Sequence, residues 1–483
     1  MPVTLTAPLA WKKANADELK LLQSLQGNIL KGHGRDFTAN IFFKLNPAKQ
    51  VEARRALREI TNFHITSAHQ QLLEAEQFKA GGAGSTPFVH LALSFKGYQA
   101  LGLAASAPND PDFQAGMKAP ASLAALADPP INSWEQAFQQ DIHGVLIAAH
   151  DKRSEAAALT RSLEALIQEG GGTVVHVQHG AALRNKDDVG IENFGYVDGR
   201  SQPLLLQEDI DSENAKAGSS RWDPAFPLSA ALIDDPGVTD GFSFGSLFVF
   251  RKLEQDVRGF KTREQQIADV LELNGEAREL AGAMIVGRFE DGTPVTVSDE
   301  ARGGAPSNNF NYTGDAGKRC PLHAHIRKSN PRGSGGAELE PVERAHLMPR
   351  RGIPYEDVKR NIHPDELPES QTLAEFNTGV APLLPTGGVG LLFMAYNRQI
   401  AQQFKFTQQT WVNSTGFPLQ PPGAHGIDPV IGQGPHNLID QKLPKQWDTP
   451  AAGTSNNVSF AGFVKMRGGE YFFAPSLTFL RNL

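Results

Sequence analysis

The order of strand and helix patterns limits how this chain can fold, because much the same order occurs in both halves. In the first half, two stretches have helical periodicity, residues 51–79 and 155–169. Four stretches are β-branched and aromatic runs or alternate as strands do: residues 37–45, 88–95, 144–149 and 173–179. The resulting order, βαββαβ, is that of the ferredoxin-like unit.

The second half is predicted to repeat this unit, although no internal repeat is visible residue by residue. Three strands are predicted in residues 246–253, 389–396 and around 470–473, and helical sequence covers residues 262–286 and the region near 399–408. We therefore expect an α+β fold of two domains, residues 1–225 and 226–483. Long irregular stretches also occur, in residues 207–227, 301–338 and 416–455; loops of this length are usually functional or disordered.

Composition excludes several classes of protein. The chain has 483 residues, 40% hydrophobic and 20% charged, as is ordinary for a globular protein with a large core. A net charge of -7 without any basic run argues against a nucleic-acid partner. The single cysteine, Cys320, excludes an intramolecular disulfide, and no Cys-x-x-Cys-His motif for c-type haem attachment is present.

No targeting or membrane segment is expected. Residues 1–20 contain no uninterrupted apolar run and no twin arginine, and no window of about 18 apolar residues occurs in the chain. Cytoplasmic location is the default expectation, while export of a processed precursor stays open. The sequence does not reveal the oligomeric state.

Residues 320–332, Cys-Pro-Leu-His-Ala-His-Ile-Arg-Lys-Ser-Asn-Pro-Arg, concentrate imidazoles and guanidiniums where no core pattern requires them. His325 is a candidate metal ligand, and Arg327 and Arg332 are candidate partners for carboxylates. A haem requires both kinds of group, an axial ligand for its iron and cations for its propionates. Two alternatives are ordinary loop side chains and a non-haem metal site built on His323 and His325, which point the same way if the chain is extended there.

Three segments in order make the chain resemble the dye-decolourising peroxidases. They are the Gly-x-x-Asp-Gly motif of Gly195, Asp198 and Gly199, the Ala-His-Ile-Arg-Lys segment of residues 324–328, and the Arg-x-Gly-x-Pro-Tyr segment of residues 350–355. Further matches occur in residues 25–34, 245–256 and 390–396, so the resemblance covers most of the chain. It implies two ferredoxin-like domains with antiparallel sheets and a haem held between them.

The resemblance also implies the cofactor and the main catalytic residues. One haem b per chain would be held without covalent links, with His325 as the axial ligand and His323 dispensable. Asp198 would be the acid/base on the peroxide side, which favours activity at lower pH than a histidine base would give. Arg350 would stabilise the charge that develops as the O–O bond breaks; chemistry alone accepts Arg351 as well.

Other residues receive roles by resemblance. Arg332, and less surely Arg327, would bind haem propionates. Relatives often carry an acidic partner for the ligating histidine in a Gln-Phe-x-Phe segment, but this chain has Lys405 there, which leaves the partner of His325 open. Two sets remain: Leu391 and Phe393 for an apolar wall over the peroxide site, and Tyr355, expected near the surface, and Trp411 for electron transfer to bulky dyes.

Ordinary packing is the alternative explanation for Leu391, Phe393, Tyr355 and Trp411. For the whole protein, three functions compete. The first is a haem peroxidase that uses hydrogen peroxide and aromatic reductants, such as anthraquinone dyes and phenolic compounds. The second is a haem-binding or iron-releasing protein with little turnover, against which the presence of both Asp198 and Arg350 argues. The third is the non-haem metalloprotein.

Overall fold

The computed structural model describes residues 3–82, 85–304, 307–368, 370–434, 441–455 and 458–483. Eight strands lie side by side in one antiparallel sheet, and the short strand Ile233–Asp234 pairs with one of them. The eight strands are β1 (Phe37–Lys44), β2 (Phe88–Leu93), β3 (Gly144–His150), β4 (Thr173–Ala181), β5 (Phe244–Gln255), β6 (Ile353–Glu356), β7 (Val389–Asn397) and β8 (Val464–Ala474).

The order of strands across the sheet is β4-β1-β3-β2-β8-β5-β7-β6. Each half of the chain thus contributes four strands in the order fourth, first, third, second, which confirms the α+β fold of two ferredoxin-like units. The two halves of the sheet meet where Leu93 of β2 pairs with Phe473 of β8. The outer strands also approach each other, since Gln178 Nε2 on β4 donates to Asp357 Oδ1 just after β6 (3.0 Å).

Helices cover the sheet and bury their apolar faces on it. In the helix of residues 153–169, for example, Ala156, Leu163 and Ile167 are buried. The main helices are α1 (Ala16–Ser24), α2 (Gln50–Phe63), α3 (Ala68–Lys79), α4 (Arg153–Glu169), α5 (Gln207–Ala217), α6 (Val257–Val270) and α7 (Glu279–Val286), and the short helix α8 (His325–Ser329) carries the histidine motif. Further short helical segments in the described residues are Phe95–Ala100, Pro111–Ala115, Pro120–Leu126, Gln136–Gln139, Glu340–Ala345, Leu373–Glu375, Phe404–Phe406 and Leu477–Arg481. Within the described ranges, no helix combines the length and apolar composition needed to cross a membrane.

Two predicted helices are each divided in the structure. The helix expected over residues 51–79 ends at Phe63 and restarts as α3, because the Ser67 hydroxyl caps the N–H of Gln70 (3.1 Å). Just before this cap, Thr66 N donates to Val89 O on β2 (3.0 Å), which turns the chain toward the sheet. The helix expected over residues 262–286 likewise divides into α6 and α7.

Three elements differ further from expectation. Strand β6 was not predicted, because four residues that include Pro354 carry too little alternation to indicate a strand. The helix expected near residues 399–408 is reduced to Phe404–Phe406 and a following π-helical turn. The stretch 207–227 is not wholly irregular, since it contains α5. The division into domains at residues 225 and 226 stays a proposal, supported by the origin of the strands in each half of the sheet.

Candidate active site

A large cavity lies between the sheet of the second half and the loop that follows β4. Loop residues from 192 to 202 line it together with side chains from strands β5, β7 and β8. Leu391 and Phe393 alternate on β7, and both line the cavity as expected for one face of a strand. Leu391 pairs with Leu253 on β5, which extends the apolar wall.

His325 begins helix α8 and lines this cavity. Its Nδ1 lies 2.8 Å from Oδ2 of Asp428, which is completely buried. Backbone N–H groups of Val430 and Ile431 donate to the other oxygen of Asp428 (2.8 and 2.9 Å), so the carboxylate is held on both sides. With Nδ1 engaged in this way, Nε2 is the nitrogen of His325 that can bind a ligand.

The electrostatics of the pair follow from its surroundings. Burial lowers the pKa of His325, but the charge of Asp428 and its hydrogen bond outweigh burial and raise the pKa above the ordinary value. Burial raises the pKa of Asp428, but the His325 charge, the shared hydrogen bond and the two backbone donors lower it overall. The arrangement therefore favours an ionised Asp428 and a basic imidazole.

His323 and Arg327, the neighbours of His325 in the motif, do not line the cavity. His323 is 1% exposed with Nε2 unpaired in the described part of the chain, and the turn before α8 replaces the extended chain on which a His323–His325 site depended. Arg327 Nη1 donates to Cys320 O (2.7 Å) and Nη2 to Asp315 O (2.6 Å). Arg327 therefore lies away from the cavity and holds the preceding loop, and a role in cofactor binding stays a prediction.

Asp198 and Arg350 line the same cavity as His325. Asp198 follows a tight turn and its side chain is open to the cavity. Arg350 Nη2 donates to Arg200 O (3.1 Å), and its backbone N–H donates to Gln202 Oε1 (2.9 Å). Burial lowers the pKa of Arg350, and the nearby charge of Asp198 opposes this shift. A carboxylate and a guanidinium thus meet in one partly enclosed space.

Arg351 points away from this space. Its guanidinium donates to three backbone oxygens, those of Asn28 (2.8 Å), Ile29 (2.9 Å) and Arg350 (2.8 Å). It does not line the cavity. The structure therefore separates the two adjacent arginines, one at the cavity and one that holds the N-terminal segment.

A group of arginines lies at one part of the cavity wall. Arg332 Nη2 and Arg288 Nη2 both donate to the Ser201 hydroxyl (2.6 and 3.1 Å), and Arg200 Nε is buried without a hydrogen-bond partner. Burial lowers the pKa of Arg332 to about 9 and that of Arg288 to about 10. Neither Arg332 nor Arg288 forms an ion pair with a carboxylate of the described residues. Such buried, unneutralised cations suit a ligand that brings its own carboxylates.

Tyr355 and Trp411 lie outside the cavity lining. Tyr355 is 1% exposed, not near the surface as expected, and burial raises the pKa of its phenol, whose oxygen has no partner in the described chain. Trp411 is 2% exposed and stacks on Phe417 with ring centroids 5.4 Å apart. Both are packed aromatic side chains, and a role in electron transfer stays a prediction.

Sequence reasoning missed Asp428, Arg288 and Ser201. Asp428 lies in the Pro/Gly-rich stretch of residues 416–455, and no pattern links it to a histidine 103 residues earlier. The expected Gln-Phe-x-Phe segment does not supply the partner, since Lys405 Nζ pairs with Asp112 instead (2.6 Å). A single aspartate in an apolar Gly-Ile-Asp-Pro sequence, at residues 426–429, was the one available signal. No group of three or more metal-ligating His, Cys, Asp or Glu side chains occurs in the described residues.

The chain is similar to known proteins over its whole length. Residues 24–182 match the family model described as the DyP dimeric alpha+beta barrel domain. The chain is 45% identical, over 100% of both proteins, to the multifunctional dye peroxidase DyP2 of Amycolatopsis sp., and 31% identical to peroxidase 2 of Mycetinis scorodonius over 95% of this chain and 87% of the relative. The solved structure of the Amycolatopsis DyP2 covers 100% of both chains with a TM-score of 0.91 at 44% identity. That of an Anabaena DyP-type peroxidase has a TM-score of 0.85 at 36% identity and covers 96% of this chain and 94% of its own.

Proposed function

Because the chain belongs to the dye-decolourising peroxidase family, we propose that it reduces hydrogen peroxide at one haem b per chain and oxidises anthraquinone dyes and phenolic compounds. The observation that carries this proposal is the convergence of His325, Asp198, Arg350 and Arg332 on one cavity. An imidazole, a carboxylate and a guanidinium are the groups that peroxide cleavage at an iron requires.

The residues present fit a haem. Leu253, Leu391 and Phe393 offer an apolar wall for the ring, and His325 offers Nε2 to the iron. The cations of Arg332 and Arg288 would pair with the two propionates, since carboxylates would supply the charge that these buried guanidiniums otherwise lack. With a single cysteine that is buried, the cofactor would be held without thioether links.

The chain's own residues would divide the work of peroxide cleavage. When bound, haem supplies the iron redox chemistry that reduces peroxide. The Asp198 carboxylate would accept a proton from one peroxide oxygen and return it to the other, which leaves as water. The Arg350 guanidinium would stabilise the negative charge on the leaving oxygen. Asp428 would hold the Nδ1 proton of His325, which fixes the ring and increases its basicity.

Exchange of each motif histidine tests this proposal. Purified His325→Ala is expected to lose most of its haem or its peroxidase activity with a dye, because the ligand is gone. His323→Ala, the matched control, is expected to keep both, since His323 lies outside the cavity. Absorption spectra and peroxide-dependent dye oxidation measure the two properties. Damage from His323→Ala with a functional His325→Ala would contradict the ligand assignment. Full haem binding without dye oxidation in the wild type would favour a haem-binding protein.

A further inference from the structure

Glu192 lines the same cavity as Asp198, and the proposed mechanism does not use it. It begins a tight turn in which Gly195 N donates to Glu192 O (3.0 Å) and Glu192 N donates to Tyr196 O (3.0 Å). After the turn, Asp198 N donates to Gly190 O (3.0 Å), so the chain has folded back beside its own start. Asp198, which lines the cavity, therefore lies two residues after a turn that begins at Glu192.

The Glu192 carboxylate closes this turn from the inside. Oε2 accepts the N–H of Phe194 (2.9 Å), and Oε1 accepts the N–H of Tyr196 (3.1 Å). The Nε2 group of Gln255, the last residue of β5, donates to Oε2. Three N–H donors thus converge on one carboxylate, and one of them, from Gln255, belongs to strand β5, which lines the cavity.

Asn193 adds a second link between the turn and the strands that line the cavity. Its Nδ2 donates to Gln255 Oε1 (3.2 Å) and to Gly390 O on β7 (2.7 Å). Gly390 directly precedes Leu391 of the apolar wall. The turn is therefore tied to two strands that also carry the walls of the site, and its position relative to them is set by side-chain hydrogen bonds.

Glu192 and Asp198 also interact electrostatically. Burial raises the pKa of Glu192 to about 7, the donors from Phe194, Gln255 and Tyr196 oppose the shift, and the charge of Asp198 adds to it. The other groups in hydrogen-bonding contact with Glu192 are neutral amides. The charge of Asp198 is thus close enough to affect the ionisation of Glu192.

We infer that Glu192 is a positioning residue, anchored by Gln255, that sets where the Asp198 carboxylate lies in the cavity. This inference rests on the proposed role of Asp198. If Glu192 acts through Asp198, removing it matters only while the Asp198 carboxylate is present. That is a non-additive effect, which a general loss of structure would not produce.

A double-mutant cycle tests the inference on the haem-loaded protein. The variants are Glu192→Gln, Asp198→Asn and the double variant that combines them. Gln255→Leu removes the hydrogen bond that anchors Glu192, and it is tested both alone and together with Asp198→Asn. Stopped-flow spectroscopy measures the reaction with peroxide and the association of hydrogen cyanide, which must also give up a proton to bind. Glu192→Gln is expected to slow both reactions by about tenfold or more, and to have no further effect when Asp198 is already asparagine.

Glu279→Gln is the matched control. This glutamate lies at the start of α7 and does not line the cavity, so both rates are expected to stay unchanged. Equal slowing by Glu192→Gln with and without the Asp198 carboxylate would overturn the inference and leave the proposed function intact. An unchanged rate in Asp198→Asn would instead overturn the proposed role of Asp198, and the inference with it.

Discussion

At the scale of single residues, the two adjacent arginines show how hydrogen-bond partners decide what a side chain does. Arg350 has one guanidinium contact with a backbone oxygen and otherwise borders the cavity. Arg351 donates to oxygens of Asn28 and Ile29, which are 1% and 0% exposed. One is therefore available for chemistry, while the other satisfies buried acceptors.

The corresponding leucine variants are expected to fail in different ways. Arg350→Leu should slow the reaction with peroxide by about a hundredfold or more, because such charge stabilisation is commonly worth about 3 kcal/mol. Arg351→Leu should leave this rate nearly unchanged but lower the free energy of unfolding by about 2 to 4 kcal/mol, since buried carbonyls lose their donors. Stopped-flow kinetics and urea denaturation measure the two effects, and equal slowing by both variants would leave Arg350 without a special role.

At the scale of elements, the close packing of β5, β6 and β7 supports the apolar wall of the cavity. Gly390 of β7 lies opposite Glu254 of β5 and Tyr355 of β6. A Cβ atom at Gly390 would lie 2.0 Å from Leu253 O and 2.8 Å from the ring of Tyr355. A glycine is needed at this position, because a backbone oxygen of a central strand cannot move aside.

Gly390→Ala is therefore expected to lower the free energy of unfolding by about 3 kcal/mol through overpacking. It should also disturb Leu391, the next residue, and so weaken haem binding. Gly379→Ala is the control, since a Cβ at Gly379 meets nothing within 4 Å, and it should change stability by about 0.5 kcal/mol or less. Chemical denaturation of both variants checks this, and similar stabilities would show that the strands can separate at Gly390.

At the scale of the whole molecule, a buried histidine lies where the two halves meet. His90, on β2, is 0% exposed; its Nδ1 lies 3.1 Å from Gly27 O and its Nε2 lies 3.1 Å from the hydroxyl of Tyr396 on β7. Burial lowers the pKa of His90 to about 3, and the charge of His33 lowers it further, against the hydrogen bond to Gly27. A neutral imidazole thus joins the two halves of the sheet.

This histidine is expected to make the protein less stable in acid. Because the folded-state pKa lies below the unfolded value of about 6.5, the unfolded chain binds the proton more readily between the two values. The stabilisation is complete above pH 6.5 and is lost as the pH falls through that window. Between about pH 6.5 and 4.5 the loss amounts to about 2 to 3 kcal/mol.

Denaturation curves at several pH values check this expectation. His90→Gln should show a shallower decline of stability in acid than the wild type, whereas His69→Gln, a change at a side chain on α3, should keep the wild-type slope. The same slope in all three proteins would mean that other groups cause the acid sensitivity. If the protein loses stability in acid, the acidic optimum of turnover that an aspartate base predicts would lie in the pH range where stability declines.

The sequence by itself determined the fold class, the family and the segments that build the site. Seven of the eight strands were predicted, because β-branched and aromatic runs and alternating patterns are local signals of an extended chain. The second strand of the second unit, β6, is too short to carry that signal. The break between α2 and α3 inside residues 51–79 could not be predicted from the sequence either, because a tertiary contact between Thr66 and β2 contributes to it.

Only the tertiary structure decided which side chain of each motif reaches the cavity. It places His325 and Arg332 there and turns Arg327 into the loop, and it supplies Asp428 as the partner of His325 from 103 residues away. The physical reason is that the direction of a side chain depends on the local turn of the backbone. Its partner depends on segments that become neighbours only after the sheet and its long loops have packed together.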